Sequence, residues 1–110
     1  MAKLGVISSV TVFFKGVPVK FRIEAVAEGK LNKKVAEIDA IEFRKNLDKI
    51  VRAMEYKGIS KSLREEEIEF YGMESIAKFI IKKLKQSYPI AYVRVWEGQD
   101  EYSIVFSDEI

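Results

Sequence analysis

The sequence predicts an α+β fold in which a four-stranded antiparallel sheet carries two helices on one face, in the order ββααββ. Two observations lead to this prediction: β-rich or alternating segments occur in pairs at both ends of the chain, and apolar residues recur at helical spacing between them. The chain has 110 residues, of which 48% are hydrophobic and 33% are charged. This length and composition are typical of one compact domain, which we expect to span residues 1–110.

The N-terminal segments are predicted to form the first hairpin. Val6 to Phe14 is rich in β-branched and aromatic residues. From Val17 to Ala27 apolar and charged residues alternate, which indicates a long strand with one buried face. Lys15 and Gly16 form the turn between these strands, and Gly29 to Lys34 is predicted to be a polar connection.

Two amphipathic helices are predicted in the middle of the chain. The first apolar stripe follows Ala40 and consists of Phe43, Leu47, Ile50, Val51 and Met54. Asp39 is in the position of an N-cap, and Gly58 is expected to end this helix. A charged loop is predicted around Arg64 to Glu67, and the second helix follows from Met73 to Leu84, before Pro89.

The C-terminal strands are predicted from Ile90 to Trp96 and from Tyr102 to Phe106. The turn residues between them are Gly98, Gln99 and Asp100. The helix-free face of the sheet is expected to carry apolar side chains beside the charged residues Lys20, Arg22 and Glu24. Proteins usually cover such a face and pair such long strand edges, so we expect a homo-oligomer.

Histidine and cysteine are both absent from the chain. Their absence excludes disulfide bonds, Ser-His-Asp or Cys-His catalysis, and zinc sites built on imidazole or thiolate ligands. We therefore expect no metal and no cofactor. The net charge is +2 with both signs interleaved, so we expect no nucleic-acid and no membrane partner. No apolar run is long enough to span a membrane, and we expect a cytoplasmic protein whose many Lys and Glu residues are typical of heat adaptation.

Three segments in a fixed order carry a family resemblance. They are Ala36 to Val51, then Met73 to Ile80, then Val93-Arg94-Val95-Trp96-Glu97 with Tyr102 after it. Together they resemble the motifs of the 6-pyruvoyl-tetrahydropterin synthase and 6-carboxytetrahydropterin synthase family, over about Val19 to Phe106. The resemblance implies the tunnelling fold, in which subunits close into a barrel as a trimer or as a hexamer of two stacked trimers.

The chain also departs from that family at the positions of its chemistry. The family's zinc histidines and catalytic cysteine have no counterpart, because the short connection Lys15 to Pro18 replaces the segment that holds them. Glu55 and Tyr56 match the family's Asp-His pair, and they are interpreted either as a remnant catalytic cluster or as an ordinary charged helix end. Zinc-dependent synthase activity is therefore not expected, and the catalytic residues are unknown.

Two glutamates are the candidate ligand-binding residues. The resemblance implies that Glu97 matches the glutamate that anchors the amino-pyrimidine edge of a pterin. A carboxylate suits this edge because it accepts two parallel N–H hydrogen bonds. The alternative is a solvated residue at a strand end. Glu74 is a candidate for a subunit contact, or it compensates the dipole in the first turn of its helix.

Three functions remain open from the sequence. The first is a divergent, zinc-free member of the family that binds a pterin or a purine at a subunit interface through Glu97. The second is a non-catalytic structural or regulatory oligomer of the same fold, and the third is a metal-independent, aldolase-type pterin enzyme. Tyr92, Arg94 and Trp96 are interpreted as packing or interface residues rather than as a base-stacking patch. The lysines of the second helix, Lys82, Lys83 and Lys85, are interpreted as its solvated side.

Overall fold

Four antiparallel strands in the order β1-β2-β3-β4 form one sheet, and helices cover one of its faces. The structure is a computed structural model that describes residues 2–29 and 38–110. Within these ranges the elements are β1 (Ala2–Phe14), β2 (Val17–Gly29), α1 (Ala40–Lys57), α2 (Ile59–Glu65), α3 (Met73–Leu84), β3 (Ile90–Glu97), β4 (Glu101–Phe106) and a short 3-10 helix (Ser107–Glu109). The predicted fold class is confirmed, with one helix more than expected.

The β1–β2 hairpin is longer than the sequence predicted. Strand pairing begins at Ala2 opposite Gly29 and runs to the turn at Lys15 and Gly16. Both turn residues have positive φ, 50° and 80°, as a two-residue turn of the right twist requires. Gly29 therefore belongs to β2, and the rest of the predicted polar connection lies outside the described residues.

Helix α1 begins and ends as predicted. The Asp39 carboxylate accepts hydrogen bonds from the backbone N–H of Ile41 at 2.9 Å and of Glu42 at 3.3 Å. These bonds satisfy two of the N–H groups that a helix leaves free at its start. At the other end, Gly58 has a φ of 94° and its N–H donates to the Met54 carbonyl.

Helix α2 corrects the prediction of a charged loop around Arg64 to Glu67. The helix covers Ile59–Glu65, so only Glu66 and Glu67 lie in a turn. Ile59, Ser62 and Leu63 are buried on one side of it. This stripe drives the short segment onto the core, but seven residues are too few for a clear helical period in the sequence.

Helix α3 spans the predicted residues, while its lysines do more than face solvent. Lys82 donates to the Glu66 carbonyl at 2.9 Å, and Lys83 pairs with the Glu66 carboxylate at 3.2 Å. Lys85 donates to the backbone carbonyl of Ile110 at 2.9 Å. The interpretation of these lysines as a purely solvated face is therefore incomplete, because they connect α3 to the turn after α2 and to the C-terminus.

The two faces of the sheet differ in burial. The helix-facing side forms the core together with the helices, and its largest fully buried side chains include Ile23, Phe43, Leu47, Met54, Leu63, Ile76, Ile80 and Ile81. The opposite face, which we call the open face, carries three cross-strand rows: Ser9, Arg22, Trp96 and Tyr102; Ile7, Glu24, Arg94 and Ile104; Gly5, Val26, Tyr92 and Phe106. In the described ranges, no helix is both long enough and apolar enough to cross a membrane.

Candidate functional site

Glu55 holds helix α1 against the outer edge of strand β1. Its Oε2 accepts the backbone N–H of Thr11 at 2.8 Å, and its Oε1 lies 3.1 Å from Arg52 Nη1. Arg52 also donates through Nη2 to the Ser9 carbonyl. We call Arg52 and Glu55 the edge clamp, because together they occupy backbone groups that an edge strand otherwise leaves open to another chain. The neighbouring Tyr56 is 96% exposed.

Strand β2 continues beyond the end of its neighbour β3. Pairing between β2 and β3 stops with Phe21 opposite Glu97. Pairing of β2 with β1 continues for four more residues of β2 to Val17, opposite Phe14. The residues from Val17 to Lys20, which we call the ledge, are therefore paired with β1 and project past the end of β3.

The strand register directs the Lys20 backbone toward the open side of the ledge. The Ser9 C=O and the Thr11 N–H, which bind Arg52 and Glu55 of α1, point away from β2. In an antiparallel pair the residues opposite them, Arg22 and Lys20, must then point their N–H and C=O away from β1. Arg22 lies opposite Trp96 of β3, whereas at Lys20 the strand β3 has already ended. The Lys20 N–H thus faces the space beyond β3, while its C=O lies opposite the Gly98 N–H.

Glu97 is the last residue of β3 and lies beside this space. Its side chain is exposed, on the same sheet face as Val95. Among residues 2–29 and 38–110 it has no hydrogen-bond or ion-pair partner. The residue opposite it in β4 is Glu101, another carboxylate, and like charges in this position destabilise a strand pair. Gly98 follows with a φ of 70°, which lets the chain turn directly after the carboxylate.

Glu74 lies in the first turn of α3 and is engaged by its own helix. Its carboxylate lies 3.1 Å from Lys78 Nζ, four residues further along. Both side chains are largely exposed, so this pair contributes only a few tenths of a kcal/mol, about 0.3–0.5. Glu74 therefore has an ion-pair partner within its own chain.

The topology brings Glu55, Glu74 and Glu97 to one end of the molecule. A short connection joins the end of α3 to the start of β3, so the start of α3 lies at the Glu97 end of the sheet. Glu97 also lies in one cross-strand row with Phe21 and Val10. Val10 precedes Thr11, whose backbone N–H binds Glu55. Two strand spacings, about 10 Å, separate the backbones at the two ends of this row.

A cleft of about 470 Å³ lies between the end of β1 and the α1–α2 corner. Glu55 lines it together with Phe13, Lys61 and Arg64, but Glu97 does not. The two candidate carboxylates are therefore at the same end of the molecule but do not share this cleft.

The open face is organised around Arg94. Its guanidinium pairs with Glu24 at 3.1 Å and lies near three aromatic rings, those of Tyr92, Trp96 and Tyr102, at 4.8–5.9 Å from the centroids. Desolvation opposes the charge of Arg94, but the Glu24 carboxylate and Tyr92 outweigh it and raise the pKa above its ordinary value. Tyr92 and Trp96 thus share a face with Arg94, as the sequence predicted, and the arginine is already surrounded within one chain.

The donor atoms of the chain do not fit the zinc of the resembling family. The sequence contains no histidine or cysteine. In the part of the chain that the structure describes, no three carboxylates converge into a group that could hold a metal ion.

The chain was compared with known protein families and with curated proteins. No family model matches it, and no curated protein matches it.

Sequence reasoning named Glu97 but missed the Lys20 backbone and Arg52. The ledge depends on where pairing between β2 and β3 stops, which the sequence of either strand alone does not contain. Arg52 precedes Glu55 by three residues on α1, a spacing that indicates an ion pair, but nothing in this pattern indicates a bond to a strand.

Proposed function

We propose that this chain is a divergent, metal-free relative of the pterin synthases that binds a planar heterocycle, a pterin or a purine, through Glu97 at a boundary between subunits. The observation that carries the proposal is the unpartnered Glu97 carboxylate beside the ledge. The motif resemblance adds the chemical class of the ligand.

The groups at the ledge complement such a heterocycle. Guanine and pterins share an amino-pyrimidine edge with two adjacent N–H donors, which one carboxylate can accept together as a planar fork. The Lys20 N–H offers a further donor on the neighbouring strand. Ligand donors would also relieve the repulsion between Glu97 and Glu101.

The missing wall of the site is supplied by a second copy in this proposal. On β1 the edge clamp occupies Ser9 and Thr11, and it leaves the segment from Lys3 to Ile7 for pairing. On β4 the Phe106 N–H points outward to Glu109 at 3.2 Å, so the outward-facing residues before it are Tyr102 and Ile104. The free edges of β1 and β4 thus offer segments of similar length for pairing with each other in two copies of the chain.

Antiparallel pairing of these edges has a favourable register. Tyr102 would lie opposite the partner's Ile7, and Ile104 opposite the partner's Gly5. Tyr102 and Ile7 are 53% and 44% exposed, and aromatic with β-branched residues form stabilising cross-strand pairs. The edge clamp excludes the register in which Tyr102 meets the partner's Ser9.

This assembly would turn the ledge into a notch. Beyond the ends of β3 and β4, the ledge of one subunit would face the projecting hairpin of its partner. Three strand spacings, about 14 Å, separate those walls, which is wide enough for a bicyclic ring. Repetition of one head-to-tail contact closes a ring when its rotation permits, as in the trimer or hexamer that the resemblance implies.

Calorimetry with guanine, neopterin and a pyrimidine that lacks the amine tests the proposal on wild type, Glu97→Gln and the matched control Glu101→Gln. We expect guanine or neopterin to bind wild type and the control, and the pyrimidine to bind neither. In Glu97→Gln the loss of one partner of a charge-assisted, two-bond contact should cost roughly 2–5 kcal/mol, at least about 30-fold in Kd. Equal binding by wild type and Glu97→Gln, or binding by neither, would reject the site.

A second function, a structural or regulatory oligomer without a ligand, has its own supporting observation. The open face leaves Ile7, Tyr102 and Phe106 between 44% and 53% exposed in the single chain. These side chains favour assembly whether or not a heterocycle binds. Oligomerisation without any heterocycle binding in the same experiment would favour this function.

A further inference from the structure

The helix layer contains a second cleft, which shares no residue with the ledge. It has a volume of about 350 Å³ and lies where α1, α2 and α3 meet, with walls made of helix residues. This volume lies in the range of small-molecule sites, about 300–1,000 Å³. We call it the helix groove.

The floor of the helix groove is apolar. It consists of Ile50, Ala53 and Met54 from α1 and Phe79 from α3. Met54 and Phe79 are 1% and 5% exposed, so the accessible hydrocarbon of the floor belongs mainly to Ile50 and Ala53. An apolar ligand body placed there would remove hydrocarbon surface from water.

The rim of the helix groove is cationic. Lys49 and Lys57 of α1 and Lys83 of α3 stand at its edge, against the single carboxylate Glu65. Glu65 pairs with Lys57 at 2.8 Å, and Lys83 pairs with Glu66 at 3.2 Å. Within the described residues Lys49 has no ion-pair or hydrogen-bond partner, so the rim keeps excess positive charge.

The groove offers few groups for a polar ligand body. Its one hydroxyl, Ser62 Oγ, already donates to the Gly58 carbonyl at 2.9 Å. Sugars and nucleotides need several placed donors and acceptors, which these walls lack. The combination of an apolar floor and a charged rim instead complements a molecule with one anionic end and a hydrocarbon body.

We infer that the helix groove binds a small organic anion with an apolar body, of the class of medium-chain carboxylates. The hydrocarbon chain lies on Ile50 and Ala53, and the carboxylate lies at Lys49. This site is independent of Glu97, since its residues belong to the helix layer and the ledge belongs to the sheet.

Titration with octanoate, followed by amide NMR shifts and calorimetry, tests the inference, with 1-octanol as the uncharged probe. Ala53→Trp fills the groove from an exposed position, and its control is Ala40→Trp at the exposed start of α1. Lys49→Met removes the free charge, and its control is Lys45→Met one turn earlier. Thermal unfolding verifies that all four variants fold.

Wild type should bind one octanoate per chain, with shifts confined to residues of the groove. Ala53→Trp should weaken binding at least 10-fold, and Lys49→Met about 5-fold, as expected for an exposed charge pair of about 1 kcal/mol. Both controls should bind like wild type, and octanol more weakly. The inference is overturned by unsaturable binding, by equal binding of octanol, by an unaffected Ala53→Trp, or by a changed subunit number in Ala53→Trp, which would mean that a second copy covers the groove.

Discussion

Three carboxylates at one end of the sheet differ in what binds them. Glu55 accepts the Thr11 N–H and pairs with Arg52, and Glu74 pairs with Lys78. Glu97 has no partner in the described chain. Of the three, the Glu97 carboxylate therefore has its full acceptor capacity available, which is why the proposed site is centred on it and not on Glu55.

The Lys57–Glu65 pair at the rim of the helix groove gives a prediction at the scale of one residue. The hydrogen bond from Lys57 lowers the pKa of Glu65 below its ordinary value, and the charges of Lys57, Lys61 and Lys83 add to this effect. A carboxyl group with a lowered folded pKa stabilises the fold above its unfolded pKa, and this contribution is lost as the pH falls through the folded pKa. We expect Lys57→Met to raise the pKa of Glu65 in a carbon-detected NMR titration.

Salt and a control variant make this prediction specific. Because both side chains are about half exposed, added salt should reduce the difference between wild type and Lys57→Met. Lys45→Met, on the same helix, should leave the titration of Glu65 unchanged. If the pKa of Glu65 is the same in Lys57→Met as in wild type, the pair does not form in solution.

The edge clamp holds the outer edge of strand β1 against helix α1, which gives a prediction at the scale of one element. Glu55→Ala removes the acceptor of the Thr11 N–H and the partner of Arg52. We expect the free energy of unfolding to fall by about 1–2 kcal/mol, since a hydrogen bond to a charged, half-buried carboxylate is lost. Hydrogen exchange should accelerate at the Thr11 amide more than at amides bonded within the sheet.

Asp48→Ala, which removes a half-buried acid from the same helix, serves as the comparison. Its Thr11 exchange should match wild type. Unchanged exchange at Thr11 in Glu55→Ala would show that α1 does not hold the edge of β1.

Elements with a clear period could be predicted from the sequence, and contacts between elements could not. The stripes of α1 and α3, the Asp39 cap and the Lys15-Gly16 turn depend on neighbours in the chain, so the pattern contains them. Helix α2 is too short to show a period, and its burial depends on the finished core. The early start of β1 at Ala2 is likewise set by pairing with the end of β2.

The candidate site likewise combines a residue that the sequence could predict with a feature that it could not. Glu97 could be named because the segment from Val93 to Glu97 resembles a family motif, whereas the ledge results from the unequal lengths of β2 and β3. The Lys20 backbone contributes because β3 ends early, and no side chain marks such a group in a sequence.

At the scale of the whole molecule, assembly through the free edges is the main prediction. Ile7→Lys places a charge on the proposed contact between β1 and the partner's β4, at a side chain that is 44% exposed in the single chain. We expect light scattering to report dissociation to monomers with nearly unchanged thermal stability, since the substitution leaves the core intact. Ile41→Lys, at a helix position that is 70% exposed, should keep the wild-type assembly. A wild-type mass for Ile7→Lys would place the interface elsewhere.

Native mass spectrometry of the wild-type protein with neopterin tests the central claim most directly, because one spectrum reports both the number of subunits and the number of bound ligands. The account predicts a trimer or a hexamer that carries up to one neopterin per chain. The Glu97→Gln variant should have the same subunit number and no ligand. A wild-type monomer, or an assembly that remains free of neopterin at saturating concentration, would contradict a heterocycle site completed by a second subunit.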